Sequence, residues 1–242
     1  MLSGLTTFII CCSEGLREDI VKKERLSSIK TVSIENCLDR SLYKINMPRE
    51  EIRRKYNISD EPVFIVVASL KAGKGHGYLL EVFKEVKDMG HRFRCFFAGG
   101  GPLNDVIKRR CHELNLSEEI KFLGKIDNTP DYLNASDVFI LPSDSEGNSI
   151  ALMEAMLMGL ACIATNVGTN ADLIKTGFNG TIIPPKDRQG LKEAIIFYLK
   201  NRSFIEIFGN RSRAIIEANH CSVEQYARKY YELWDKCASS KR

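Results

Sequence analysis

Between residues 63 and 200 the chain alternates short apolar runs with longer stretches in which apolar residues recur every three or four positions. The apolar runs at 63–69, 93–98, 120–123, 138–141, 161–164 and 181–183 have the length and β-branched or aromatic content of buried strands. The stretches at 78–88, 104–114, 129–135, 150–158, 171–175 and 189–200 carry helical periodicity. Strand and helix alternating in this way predict βαβ units, and so an α/β fold: a Rossmann-like parallel sheet with helices on both faces. Ahead of it, 5–12 reads as a strand, 13–25 as a helix, 31–35 as a second strand, and 37–61 as a polar linker with a helix at 49–56. Behind it, 222–237 sets Val223, Tyr226, Tyr230, Leu233 and Trp234 on one side of a helix, the pattern of a docking helix at a domain edge. No element is predicted for 201–221. The expected division is 1–56, 57–220 and 221–242.

Ligands of such sheets bind beyond the carboxyl ends of the strands, so the loops there carry the candidate chemistry. The chain is organised around 143–156, which joins the run closed by Pro142 to an apolar helix stopping at Gly159. Asn148 or Ser149 is the expected N-cap and Gly159 the expected left-handed C-terminal residue. Glu146 precedes the helix, whose N-terminus offers free N–H groups and a partial positive charge, the usual receptor for a phosphate. Glu154 stands one and a half turns inside, among Leu152, Met153, Ala155 and Met156. Burying an unpaired carboxylate is costly, so Glu154 must find partners. Two carboxylates bracketing a phosphate-binding helix start fit a ligand with an anionic middle and hydroxyls at both ends, the layout of a nucleotide sugar.

Two further loops converge from other strand ends. In Lys71-Ala72-Gly73-Lys74-Gly75-His76-Gly77 the glycines let the backbone approach a ligand and Lys74 supplies a point charge for phosphate. Gly99-Gly100-Gly101-Pro102 reads as a second close-approach loop. Either alone would read as an ordinary turn; the convergence gives them meaning.

Composition narrows the field. The 242 residues are 44% hydrophobic, enough for a core, and the net charge of +4 suits an anionic ligand. Basic clusters such as Lys108-Arg109-Arg110 read as solvated faces, and nucleic acid is not an expected partner. The eight cysteines are scattered with no Cys-x-x-Cys, the usage of reduced buried thiols, and the four histidines lack metal-ligand spacing, so neither disulfides nor a metal site is expected. The first 13 residues lack the basic region and cleavage pattern of a signal peptide. No run approaches the roughly twenty apolar residues of a membrane span. The expected location is cytoplasmic, with any membrane contact peripheral at the inner face.

The set Pro142-Ser143, Glu146-x7-Glu154, Glu154-Ala155-Met156-x-x-Gly159 resembles the signature of retaining glycosyltransferases of the GT-B fold, in the large family 4 (glycosyl transferases group 1). Ser69-Leu70-x-x-x-Lys74-Gly75, Ala98-Gly99-Gly100-Gly101-Pro102-Leu103, Phe122-Leu123-Gly124 and Asn179-Gly180 extend it over nearly all of 60–200. The resemblance implies the C-terminal, donor-binding domain of such an enzyme. Glu154 would hold the donor ribose and Lys74, with Gly75, the diphosphate. Glu146, the catalytic candidate, and the amides of Gly147, Asn148 and Ser149 would hold the sugar. Gly99, Gly100, Leu103, Lys125 and Ile126 would line the nucleotide pocket. Transfer would be metal-independent and cofactor-free, the leaving diphosphate being stabilised by Lys74 and the helix dipole. The sequence departs from the family at Ser69, where Arg is frequent, at Asp172, where Glu is usual, and at Asn148-Ser149, where many members have Phe-Gly.

Residues 1–56 resemble only the tail of the acceptor-binding domain, so the implied enzyme is truncated, split, or completed by a partner chain. Three readings follow: a glycosyltransferase acting on a polysaccharide or glycolipid acceptor, such as a bacterial capsule or lipopolysaccharide; a partner-dependent or inactive nucleotide-sugar-binding subunit; or a remnant that serves only in association.

Overall fold

The computed structural model describes residues 6–239. In chain order the elements are β1 (Ile9–Cys11), α1 (Glu14–Glu24), β2 (Thr31–Ser33), α2 (Arg49–Lys55), β3 (Val63–Val67), α3 (His76–Asp88), β4 (Arg94–Ala98), α4 (Asn104–Glu113) and β5 (Ile120–Gly124). They continue as α5 (Thr129–Ala135), β6 (Val138–Leu141), α6 (Ile150–Leu157), β7 (Ala161–Thr165), α7 (Asn170–Leu173), β8 (Gly180–Ile183), α8 (Arg188–Lys200), α9 (Ser203–Asn219) and α10 (Val223–Ser239).

Six strands form one sheet in the order β5-β4-β3-β6-β7-β8, every neighbouring pair parallel. Period-two alternation sorts their side chains into two cores. Phe64, Val66, Phe97, Val138, Ile140 and Ile163 enter one, with α3, α4 and α8. Val63, Ile65, Phe96, Phe139, Leu141 and Cys162 enter the other, with α5 and α6. A strand apolar at every position is therefore covered on both faces. The chain winds outwards from β3 through β4 to β5, then returns to pair β6 beside β3. The strand order reverses between β3 and β6, the position at which such sheets bind ligands.

Four regions differ from the sequence expectation. The segment 37–61 is part of the body: Leu38, Ile52 and Ile58 are buried in the second core. The Asp137 carboxylate holds Arg49 at 2.5 Å, Arg53 at 3.4 Å and the Val63 N–H at 2.7 Å, so α2 is locked to the start of β3 and β6. The second difference is α9. Its stripe of Phe204, Ile205, Phe208, Ile215 and Ile216 was legible as a helix. Gly209 lets it cross the end of α6 so closely that a Cβ there would lie 2.0 Å from the Gly159 carbonyl oxygen. Arg213 then donates to the carbonyls of Leu157 and Met158, serving the open C-terminus of α6.

The third is α10, where Leu233 is buried but Val223 and Trp234 are exposed. Its half-buried face is Tyr226, Tyr230 and Cys237. Leu233 shares a cavity with Val32 and Ile34 beside β2. The strand expected over 5–12 is three residues, Ile9–Cys11, paired in parallel with Thr31–Ser33; Leu5 lies outside the described residues.

Candidate functional site

The loops that follow β3 and β6 meet at the reversal point. The Asp144 N–H donates to the Gly73 carbonyl at 2.8 Å, and the Tyr78 hydroxyl donates to the Pro142 carbonyl at 2.7 Å. Across this junction the Lys74 Nζ reaches the Glu146 Oε1 at 2.6 Å, and the Ser143 hydroxyl donates to the same oxygen at 2.6 Å. Lys74 is 19% and Glu146 12% exposed, so the pair is partly withdrawn from water but open to a ligand.

Ser149 is the N-cap: its hydroxyl accepts from the Leu152 N–H at 3.3 Å. The first-turn amides of Ile150 and Ala151 have no intrahelical acceptor and no other among the described residues. Free amides give a helix start a partial positive charge that suits an anion, and the Lys74–Glu146 pair stands on the loop that leads into this helix.

The glycines also serve the packing of the loops. The side on which a Cβ would stand at Gly75, Gly99 and Gly101 is filled by protein backbone. A Cβ on Gly75 would lie 1.9 Å from the Pro142 carbonyl oxygen, on Gly99 2.1 Å from that of Ala68, and on Gly101 2.4 Å from that of Leu70. These glycines let three loops nest. Gly73, with φ +82° and nothing within 4 Å, faces open space.

The other nucleotide-pocket candidates fall together on the β4 and β5 loops. The Gly99 N–H donates to the Gly124 carbonyl at 2.7 Å, and the Leu103 N–H to the Leu70 carbonyl at 2.9 Å. A Cβ on Gly100 would meet the Lys125 side chain at 3.7 Å, an ordinary contact. Ile126, half-buried, follows Lys125. This cluster and the Lys74–Glu146 pair are thus built on the same loop, 68–75. Gly147 lies under the β7 loop: a Cβ on Gly168 would lie 2.2 Å from its carbonyl oxygen, and the Thr169 N–H donates to that oxygen at 3.0 Å. The Asn148 Nδ2 reaches back to the Cys12 carbonyl at the end of β1, 3.3 Å away, leaving its buried Oδ1 without a protein partner.

Glu154 lies about 7–8 Å along the α6 axis from the cap, five residues at the helical rise. It projects from the half-exposed stripe Ile150, Ala151, Glu154 and Met158, opposite the buried Leu152, Met153, Ala155 and Met156. Burial pushes its carboxyl above the usual carboxylate range, and a hydrogen bond from Tyr43 works in the opposite direction. That bond, from the Tyr43 hydroxyl to Oε1, measures 3.0 Å. Of the family departures, Ser69 and Asp172 are both exposed.

Sequence reasoning missed Tyr43 and Thr165. The buried Thr165 hydroxyl lies 2.6 Å from the Ser143 carbonyl and fixes the start of the β6 loop. Neither carries a local signal, since Tyr43 meets Glu154 across 111 positions. Among the described residues no group of three or more His, Cys, Asp or Glu side chains is arranged to hold a metal ion.

Comparison with known proteins converges on one group. The family description "Glycosyl transferases group 1" matches residues 48–219. N-acetyl-alpha-D-glucosaminyl L-malate synthase of Bacillus anthracis is 26% identical over 224 residues, covering 83% of this chain and 59% of that protein. An Escherichia coli UDP-Gal:alpha-D-GlcNAc-diphosphoundecaprenol alpha-1,3-galactosyltransferase is 29% identical over 196 residues, covering 79% and 51%. The crystal structure of Anabaena Alr3699/HepE in complex with UDP superposes with a TM-score of 0.85 at 20% identity, over 95% of this chain and 64% of that one. The chain therefore spans between half and two thirds of the length of these proteins. A family match over most of the chain, on a six-stranded parallel sheet of GT-B type, shows that this chain belongs to the glycosyl transferases group 1 family.

Proposed function

We propose that the chain binds a nucleotide-diphosphate sugar across the β3–β6 junction and transfers the sugar, with retention, to a saccharide or glycolipid acceptor. The observation that carries this reading is the Lys74–Glu146 pair, 2.6 Å apart, at the N-terminus of α6. A diphosphate seated against the Ile150 and Ala151 amides meets Lys74. As the bond to the sugar breaks, negative charge grows on the departing diphosphate, where these fixed donors act without reorganising. No metal or cofactor is invoked. Glu146, anchored through Oε1 by Lys74 and Ser143, offers its second oxygen to the sugar, and Glu154 accepts from the ribose hydroxyls. The Gly100, Leu103, Lys125 and Ile126 cluster borders the base.

UDP in the Anabaena structure and the lipid-linked saccharide in the name of the E. coli relative support a nucleotide donor and a polysaccharide or glycolipid acceptor. No described helix is long and apolar enough to cross a membrane; a cytoplasmic location, with contact at the membrane face where a lipid-linked acceptor lies, goes with this reading.

A second reading is favoured by one observation: β1 and β2 form a sheet of two strands with Ile10 41% exposed. The chain would then supply the donor half of a split enzyme, and another polypeptide the acceptor half.

Calorimetry with UDP, GDP and their sugars tests the donor site. The expected result is saturable binding that Glu154→Ala weakens by about 1.5–3 kcal/mol, the worth of hydrogen bonds to a charged group. Absence of binding by every nucleotide, or undiminished affinity in a folded variant, refutes it. Transfer by the isolated chain, with the product anomer read by NMR, separates the first reading from the second.

A further inference from the structure

We propose that Tyr43 is a positioning residue for the donor ribose: it fixes one oxygen of Glu154 so that the other is presented to the ribose hydroxyls. The inference rests on the reading of Glu154 as the ribose-binding carboxylate.

The geometry is that of a built contact. Tyr43 belongs to a strap that crosses the domain and is pinned on both sides of the tyrosine. Ahead of it, the Leu38 N–H donates to the His220 carbonyl at 2.8 Å and Arg40 pairs with Glu217 at 3.0 Å, both at the end of α9. Beyond it, one oxygen of the buried Asp131 on α5 accepts from the N–H groups of Asn46 at 2.7 Å and Met47 at 3.0 Å. The Asn128 side chain donates to the Lys44 carbonyl at 3.3 Å. The ring itself packs against the second core. The hydroxyl is thus delivered to Glu154 by scaffold on both flanks, and it is the one protein hydrogen bond of that carboxylate among the described residues.

A glutamate on a half-exposed helix face has three rotatable bonds, and ordering it on ligand binding costs conformational entropy. A carboxylate already held through Oε1 has met much of that cost before the ligand arrives. Oε2 has no protein partner and is not among the sealed orphan atoms, so it is the atom left to accept from a ribose hydroxyl. Burial favours the protonated form of Glu154, whereas the tyrosine bond favours the carboxylate needed to accept.

The test is a cycle between the tyrosine hydroxyl and the ribose hydroxyls. UDP and 2′,3′-dideoxy-UDP, and GDP with its dideoxy counterpart, are titrated by calorimetry into the wild-type chain, Tyr43→Phe and Glu154→Ala. Circular dichroism checks that each variant is folded; the phenylalanine keeps the ring that packs on the core. The expected result is that wild type prefers the ribonucleotide, Glu154→Ala erases the preference, and Tyr43→Phe lowers ribonucleotide affinity about three- to tenfold while leaving the dideoxy compound unchanged. An equal loss on both compounds assigns Tyr43 a merely structural role and overturns the proposal. Unchanged or tighter ribonucleotide binding in Tyr43→Phe overturns it too, the latter making the tyrosine a competitor for the carboxylate. Failure of the underlying reading shows separately, in the wild-type titrations alone, as no binding or no preference for the ribose hydroxyls.

Discussion

Gly73 and Gly75 offer a paired experiment on how the β3 loop is held. Both have positive φ, +82° and +75°, so alanine at either bears the left-handed strain of roughly 1–2 kcal/mol, offset by about 0.4–1 kcal/mol from a stiffer unfolded chain. Only Gly75 faces an obstacle. Its Cβ would sit 1.9 Å from the Pro142 carbonyl oxygen, where contacts below 3.0 Å essentially do not occur, so that carbonyl must retreat by about an ångström. The retreat breaks the 2.7 Å bond it accepts from the half-buried Tyr78 phenol and strains the bond from Asp144 to Gly73. Two hydrogen bonds at about 1 kcal/mol each, with the strain, give a loss near 3 kcal/mol for Gly75→Ala, against about 0–1.5 kcal/mol for Gly73→Ala. The strain is common to both, so the difference is about 2 kcal/mol, or for a chain of this size about 4–8 °C in the melting midpoint. Urea and thermal denaturation read the stability, and nucleotide titration reads the displacement of Lys74, which should weaken binding in Gly75→Ala. Equal destabilisation by the two substitutions would refute the nested-loop account.

Two further outcomes are expected. His76, buried at the start of α3 against Phe97, is held neutral by desolvation and by the Lys74 charge, its pKa lowered to about 4. The unfolded chain takes up that proton near 6.5, so stability is lost as pH falls from about 6.5 towards 4, by about 3 kcal/mol in all. Urea titrations should show His76→Gln losing less stability than wild type over that window, and parallel curves would contradict the assignment. Asp137→Ala, which frees Arg49, Arg53 and the Val63 N–H, should cost about 2–4 kcal/mol by denaturant unfolding; a change under 0.5 kcal/mol would show that α2 does not depend on it.

The pattern of apolar positions determined the parallel sheet, the helices that cross over it and the loops that carry the chemistry. A strand buried on both faces and a helix buried on one leave their periods in the sequence whatever their neighbours. Lys74 and Glu146 stood out as charges on loops at strand ends, and Glu154 as a carboxylate inside an apolar helix. The stripe of α9 was equally legible and lay in the gap left between the helices predicted at 189–200 and 222–237. What only the tertiary structure decided was pairing across distance. That Gly75 and Gly99 nest against the backbone of Pro142 and Ala68, that Lys74 shares one oxygen of Glu146 with Ser143, and that Tyr43 meets Glu154 from 111 positions away all depend on β6 returning beside β3 and on the strap being pinned to α5 and α9. Such contacts follow from chain packing in three dimensions, and no local period records them.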